Sequence, residues 1–129
     1  MDDRVEFTQP ELFAQAEKII CGDLSRIADY VSIGEEDYVC VMTRGHAYDT
    51  VVQAQVLRCH PCYCGVIGSR AKAAGIRKIL KEEYALTEEE LNQVTTPIGL
   101  SIQAETPAEI AISIAAQMIL HRAERKAQK

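Results

Sequence analysis

Residues 62–77, CYCGVIGSRAKAAGIR, read as a short apolar strand, a tight glycine turn and a helix. Tyr63, Cys64, Val66 and Ile67 suit a strand buried on both faces, where strict alternation of apolar and polar residues is lost. Gly65 and Gly68 take side chains away where the backbone must turn or be approached closely. Ser69 is placed to cap the following helix, and Ala73, Ile76 and Leu80 fall on one face of it. A helix N-terminus presents free N–H groups and a partial positive charge. With Arg70 and Lys72 beside it, this turn is a candidate cradle for a phosphate or another anion. The plainer alternative is a strand-to-helix turn followed by a solvated basic helix, because the full dinucleotide-binding glycine pattern is missing.

Outward from this stretch, strands and helices alternate. Thr8-Gln9-Pro10-Glu11 predicts a helix opened by a capping box, with Leu12, Phe13 and Ala16 on its apolar side. Lys18 to Cys21 reads as a brief strand, and Asp23 as the cap of a short helix carrying Leu24 and Ile27. Tyr38 to Met42 is a buried strand, followed by Thr43-Arg44-Gly45-His46 and a helix from about Asp49 to Cys59. Thr87 with Glu90 predicts a short helix holding Leu91 and Val94, and Pro97 to Ile102 a last strand. Thr106-Pro107-Ala108-Glu109 combines a cap, a proline at the first helical position and a glutamate at the third. The helix it opens is apolar around most of its circumference, so it is expected to be deeply buried or shared with a partner. Arg122 to Lys129 is expected to fray.

This alternation predicts an α/β domain with a mainly parallel sheet and helices on both faces. Ligands on such sheets bind beyond the carboxyl ends of the strands. Three loops meet there: Thr43 to His46, Gly65 to Arg70, and the stretch after Ile102.

Composition narrows the function. The chain has 129 residues, 47% hydrophobic and 26% charged, which fits one soluble globular domain over residues 1–129. A net charge of −5 argues against a general nucleic-acid binder. No long apolar run predicts a membrane span, and the opening Met-Asp-Asp-Arg is not a signal peptide. Five cysteines, an odd number, fit reduced thiols in the cytosol.

Two clusters carry candidate chemistry. Thr43, Arg44, Gly45 and His46 follow a strand at the ligand edge, with Asp49 placed to orient or cap His46. Alternatively, Asp49 caps the helix and His46 packs on its first turn. Cys59, Cys62 and Cys64, with His60 between them, are candidate ligands for a soft metal or an iron–sulfur cluster. Their spacing does not match a zinc ribbon, and buried cysteine is also a common small core residue. Paired carboxylates, a nucleophile elbow at Ser69 and a nucleotide P-loop are not apparent.

Taken in order, Thr43-Arg44-Gly45-His46-Ala47-x-Asp49, Gly65-Val66-Ile67-Gly68-Ser69-Arg70-x-Lys72, Pro97-Ile98-Gly99-Leu100 and Ala104-x-Thr106-Pro107-x-Glu109-Ile110-Ala111 resemble the C-terminal Rossmann-like domain of the XdhC/CoxI family. Members are accessory proteins of xanthine-dehydrogenase-type molybdenum hydroxylases. The resemblance covers Asp2 to about His121. It implies a three-layer α/β/α fold and a maturation factor rather than a catalyst. That factor would bind the molybdenum cofactor, protect it during sulfuration and deliver it to the hydroxylase, with a cysteine desulfurase as a further partner. Gly65, Gly68, Ser69 and Arg70 would hold the cofactor's phosphate, and Thr43, Arg44, Gly45 and His46 would line the pocket. Thiols and an imidazole nearby would suit its sulfur-rich end.

The sequence also departs from the family. Members carry an earlier strand and glycine turn ahead of the stretch matching Asp2-Asp3-Arg4, so the sheet is expected to lack its usual first strand. Ser101 and Gln103 stand where Asp and Gly are common. A sheet missing a central strand exposes an apolar edge, which predicts a homodimer or a rearranged sheet. Two other functions remain open on the residues: an NAD(P)-binding oxidoreductase domain, and a metal- or sulfur-transfer protein built on the cysteines.

Overall fold

The structure, a computed structural model, describes residues 1–128, with His46 and Ala47 described by their backbone alone. Its regular elements are β1 (Tyr38–Val41), α1 (Gly45–Arg58), β2 (Tyr63–Val66), α2 (Arg70–Glu82), α3 (Glu88–Asn92), β3 (Val94–Thr95) and α4 (Pro107–Ala127). The three strands form one parallel sheet in the order β1-β2-β3, with Tyr38 opposite Tyr63 and Cys64 opposite Val94.

The strands alternate their side chains between two helical layers. Val41, Cys64 and Val66 face one core with Val52, Val56 and Leu57 of α1, Ile76 and Leu80 of α2, and Leu91 of α3. Tyr38 and Tyr63 face the other, against Ile98 and against Ile110, Ile114 and Met118 of α4. This is the α/β class, with helices on both faces of a parallel sheet, that the alternation predicts. Gly65 shares the α4 face with Tyr63. A Cβ there would lie 2.6 Å from Ile98 Cδ1 and 2.5 Å from Tyr63 Oη, so the glycine makes room for this packing.

Three helix starts form as read. Ser69 Oγ accepts from Lys72 N–H, and Thr87 and Thr106 each complete a capping box. The Thr8 box does not form. Thr8 Oγ1 donates backward to the carbonyls of Arg4 and Val5, and only a 3-10 turn at Pro10–Leu12 follows. Leu12 and Phe13 stay about half exposed, so no packed face repays helix nucleation there. Asp23 caps as expected, by accepting from Ser25 N–H, but its helix is also 3-10, at Leu24–Asp29. The Lys18–Cys21 strand reduces to one parallel bridge between Asp2 and Cys21.

Three further expectations shift. Helix α1 starts at Gly45, a turn earlier than predicted, which moves Asp49 from the helix start into its body. The last strand is Val94–Thr95 rather than Pro97–Ile102. Beyond Thr95 only Ile98 N–H still bonds to β2, at Val66 O, 3.0 Å. Proline has no N–H to give, Gly99 turns the chain at φ +97, and Leu100 N–H bonds to Ser113 O of α4. The C-terminal tail does not fray at Arg122: α4 continues to Ala127, and Arg125 pairs with Glu36 at 2.8 and 2.9 Å. Ser113 and Ile114 of α4 are buried, while Ile112, Ile119 and Leu120 are exposed, so the helix packs by one face only.

Candidate anion-binding turn at the carboxyl edge

Strands β1 and β2 end side by side, and their following loops meet at the carboxyl edge of the sheet. After β2 the chain passes Ile67, turns at Gly68 with φ +141, and enters α2 at Arg70. That φ is unfavourable for any residue with a Cβ, so the turn depends on the glycine. Ser69 satisfies Lys72 N–H, and Ser69 O accepts from Ala73 N–H at 3.0 Å. Among the described residues, the N–H groups of Arg70 and Ala71 have no acceptor. Arg70 is exposed and makes no ion pair among the described residues. Two free N–H groups, a helix dipole and a free guanidinium together suit an anion.

Behind the turn lies a buried charge that links the two loops. Asp49, on α1, is 0 % exposed. Thr43 Oγ1, from the end of β1, donates to its Oδ1 at 2.5 Å. Lys72 Nζ, from α2, stands 2.6 Å from Oδ2. That contact is an ion pair by distance but lies off hydrogen-bond alignment, so Oδ2 has a counter-charge without a directed donor. Lys72 is therefore occupied inward, which leaves Arg70 as the cation facing solvent at the turn. A cavity of about 150 Å³ opens beside it, lined by Gly68, Ser69, Lys72, Gln53, Arg77 and Thr96 among others.

The predicted site residues thus divide. Gly68, Ser69 and Arg70 form the turn, and Thr43 reaches it through Asp49. Arg44 is exposed and lies 3.4 Å from Asp3, and Gly45 begins α1. The His46 side chain lies outside the described residues. Gly65 is inside β2 and serves packing. The thiols are elsewhere. Cys62 precedes β2 at the opposite edge of the sheet, with Sγ 3.9 Å from His121 Nδ1. Cys64 is buried, and its thiol is pushed up to about 12 by desolvation. Cys59 is exposed and bonds to Gln55 O. Among the described residues no three His, Cys, Asp or Glu side chains gather as a metal would require. Sequence reasoning missed the Asp49–Lys72 pair as the organiser of this edge. The available signal was an acidic residue in the body of one helix and a basic one in the first turn of the next, both beside ligand-edge loops.

A parallel sheet flanked by helices, with the loops after its first two strands meeting at the carboxyl edge, defines a Rossmann-type domain. More narrowly, the chain belongs to the XdhC family, whose Rossmann domain matches residues 1–118. It is 26% identical over 118 residues to the uncharacterized protein YqeB of Escherichia coli strain K12, a match covering 88% of this chain and 21% of that protein. It also superimposes, with a TM-score of 0.82 and 29% identity, on a Bacillus halodurans protein whose crystal structure is named as a xanthine dehydrogenase. That match covers 96% of this chain and 34% of the other. The chain therefore spans about a fifth of one relative and a third of the other. No helix among the described residues is long and apolar enough to cross a membrane.

Proposed function

We propose that this chain is an accessory carrier of the molybdenum cofactor for a hydroxylase of the xanthine dehydrogenase type. The observation that carries the reading is the glycine turn at Gly68–Arg70, which leaves two N–H groups without acceptors among the described residues and has an exposed arginine at the first position of α2, in an XdhC Rossmann domain. The cofactor's phosphate fits that donor set. Gly68 lets the backbone turn, the Arg70 and Ala71 N–H groups would donate to the anion's oxygens, and the Arg70 side chain would add a charge-assisted hydrogen bond. Thr43, Asp49 and Lys72 hold the two loops together beneath it. The chain binds and presents the cofactor and does not turn over a substrate. Its protein partners on this reading are the apo-hydroxylase and, for sulfuration, a cysteine desulfurase.

The test is anaerobic titration of purified molybdenum cofactor into this chain and into Arg70→Ala, with NADH as a competing ligand. One lost charge-assisted hydrogen bond should weaken binding about tenfold or more while circular dichroism stays unchanged. Equal affinity in the two proteins, or displacement by NADH at its own binding concentration, would refute the reading.

A further inference from the structure

Gln53 lies in the body of α1, between the buried Asp49 and the buried Leu57, and is 3 % exposed. A carboxamide offers both donors and an acceptor, and when buried it is ordinarily hydrogen-bonded. Two other glutamines of this chain follow that rule. Gln55 Oε1 accepts from Ile27 N–H at 2.9 Å, and its Nε2 donates to Leu24 O at 2.8 Å. Gln117 Oε1 accepts from Tyr63 Oη and from Gly99 N–H. Gln53 has no hydrogen-bond partner among the described residues. Its side chain instead lines the cavity beside the Gly68 turn. A buried amide without a partner is costly where an apolar residue would pack, so its partner is to be sought outside the chain.

The cavity measures about 150 Å³, room for one benzene-sized ring. Val66, Ile76, Leu80, Leu91 and Val94 give it apolar walls. Thr96 lines it too, with a hydroxyl that has no partner among the described residues. The cations of its lining are engaged elsewhere, Lys72 by Asp49 and Arg77 by Glu88 and Asn92. What remains is an apolar chamber with a neutral donor–acceptor group in its wall, the usual make-up of a small-molecule pocket. A carboxamide meets an adjacent donor and acceptor on an aromatic edge with two parallel hydrogen bonds, as it does with adenine. A sugar would leave hydroxyls unpaired against the apolar walls.

We infer that this cavity binds the six-membered ring of a planar nitrogen heterocycle, held at its edge by the Gln53 carboxamide. Pterins and purines both carry the required adjacent donor and acceptor. The choice of a pterin rests on the carrier function proposed above. Gly68 and Ser69 line the cavity and also form the anion turn, so ring and phosphate belong to one molecule.

The probe is unsubstituted pterin, which has no phosphate, titrated into the full chain and followed by its own fluorescence. Saturable binding is expected, weakened about tenfold or more in Gln53→Leu, which loses two hydrogen bonds at similar size. The same variant should keep or raise the urea midpoint, because it removes an unpaired buried amide. A merely structural Gln53 would lower that midpoint and leave pterin affinity alone. Ala73→Leu, which fills the cavity from α2, should abolish binding. Quinoxaline, two fused rings with no N–H donor, should bind at least tenfold more weakly than pterin. Adenine and guanine as competitors separate the two sources: the tighter ligand names the heterocycle. The proposal is overturned if none of the three heterocycles binds saturably, or if wild type and Gln53→Leu bind equally. If Gln53→Leu does not fold, equal binding by Ala73→Leu, or of quinoxaline and pterin, overturns it instead. Pterin binding without binding of the whole cofactor would refute the carrier function alone. Whole-cofactor binding that Gln53→Leu leaves unchanged would refute the ring site alone.

Discussion

Asp49 has no exposed surface, and among the described residues its side chain meets one amine and one hydroxyl. Asp49→Asn keeps the size and the Thr43 contact but leaves Lys72 facing a neutral partner in a mostly buried place. Breaking one side of such a pair should cost about 3 kcal/mol in urea unfolding. Lys72→Met should cost a similar amount. The double variant should cost clearly less than the sum of the two, because both charges leave together. Strict additivity would mean that the two side chains do not interact. Gly68, Ser69 and Arg70 were legible from the chain because a turn and a cap are local events, written within a few residues. The Asp49–Lys72 pair was not, since it exists only once α1 and α2 lie against each other. The thiols misled for the related reason that closeness in sequence is not convergence. Cys62 precedes β2 at the edge opposite the turn, Cys64 is buried inside that strand, and Cys59 points back along its own helix.

The cap motifs show when a local signal becomes an element. Thr8 and Thr106 open similar sequences, each with a glutamate three positions on. Thr106 begins a helix of 21 residues that packs on the sheet through Ile110, Ile114 and Met118. Thr8 precedes residues with nothing to pack against. Thr106→Ala should therefore lower stability by about 1 kcal/mol, while Thr8→Ala should stay within about 0.5 kcal/mol of the parent. Equal losses in denaturant titrations would show that the N-terminal turn is a structural support after all. Strand β3 was misplaced because Pro97-Ile98-Gly99-Leu100 has strand-like composition. The ladder had already stopped where proline offers no N–H, and the chain then turned toward α4. From β1 through α2, by contrast, the alternation of strands and helices was readable, because β1 and β2 are continuous apolar runs, although only β2 is buried along its whole length and Cys40 of β1 is exposed.

For the molecule as a whole, the central strand carries two groups that resist ionisation. Burial pushes the Cys64 thiol from 9 and the Tyr63 phenol from 10 up to about 12. Each is an acid held neutral in the folded state and free to ionise in the unfolded one. Their contribution is therefore complete below pH 9 and is lost as pH rises from 9 toward 12. Urea midpoints should fall over that window. Cys64→Val should flatten the fall from its lower end, and Tyr63→Phe, which also gives up the 2.6 Å bond to Gln117 Oε1, from about pH 10 upward. A midpoint constant from pH 8 to 11 would contradict the burial of both groups.

The clasp between Arg125 and Glu36 also sets a schedule. Its partners are 89 positions apart, one just before the first strand and the other near the end of the last helix. On a ribosome adding about 5–20 residues per second, Glu36 waits roughly 4–18 s before Arg125 is made. Until then Tyr38 and Tyr63 have no α4 to cover them. For part of that time, from the completion of β2 until α4 is made, the nascent chain has one side of its sheet bare, and that interval is when a ribosome-associated chaperone has something to hold.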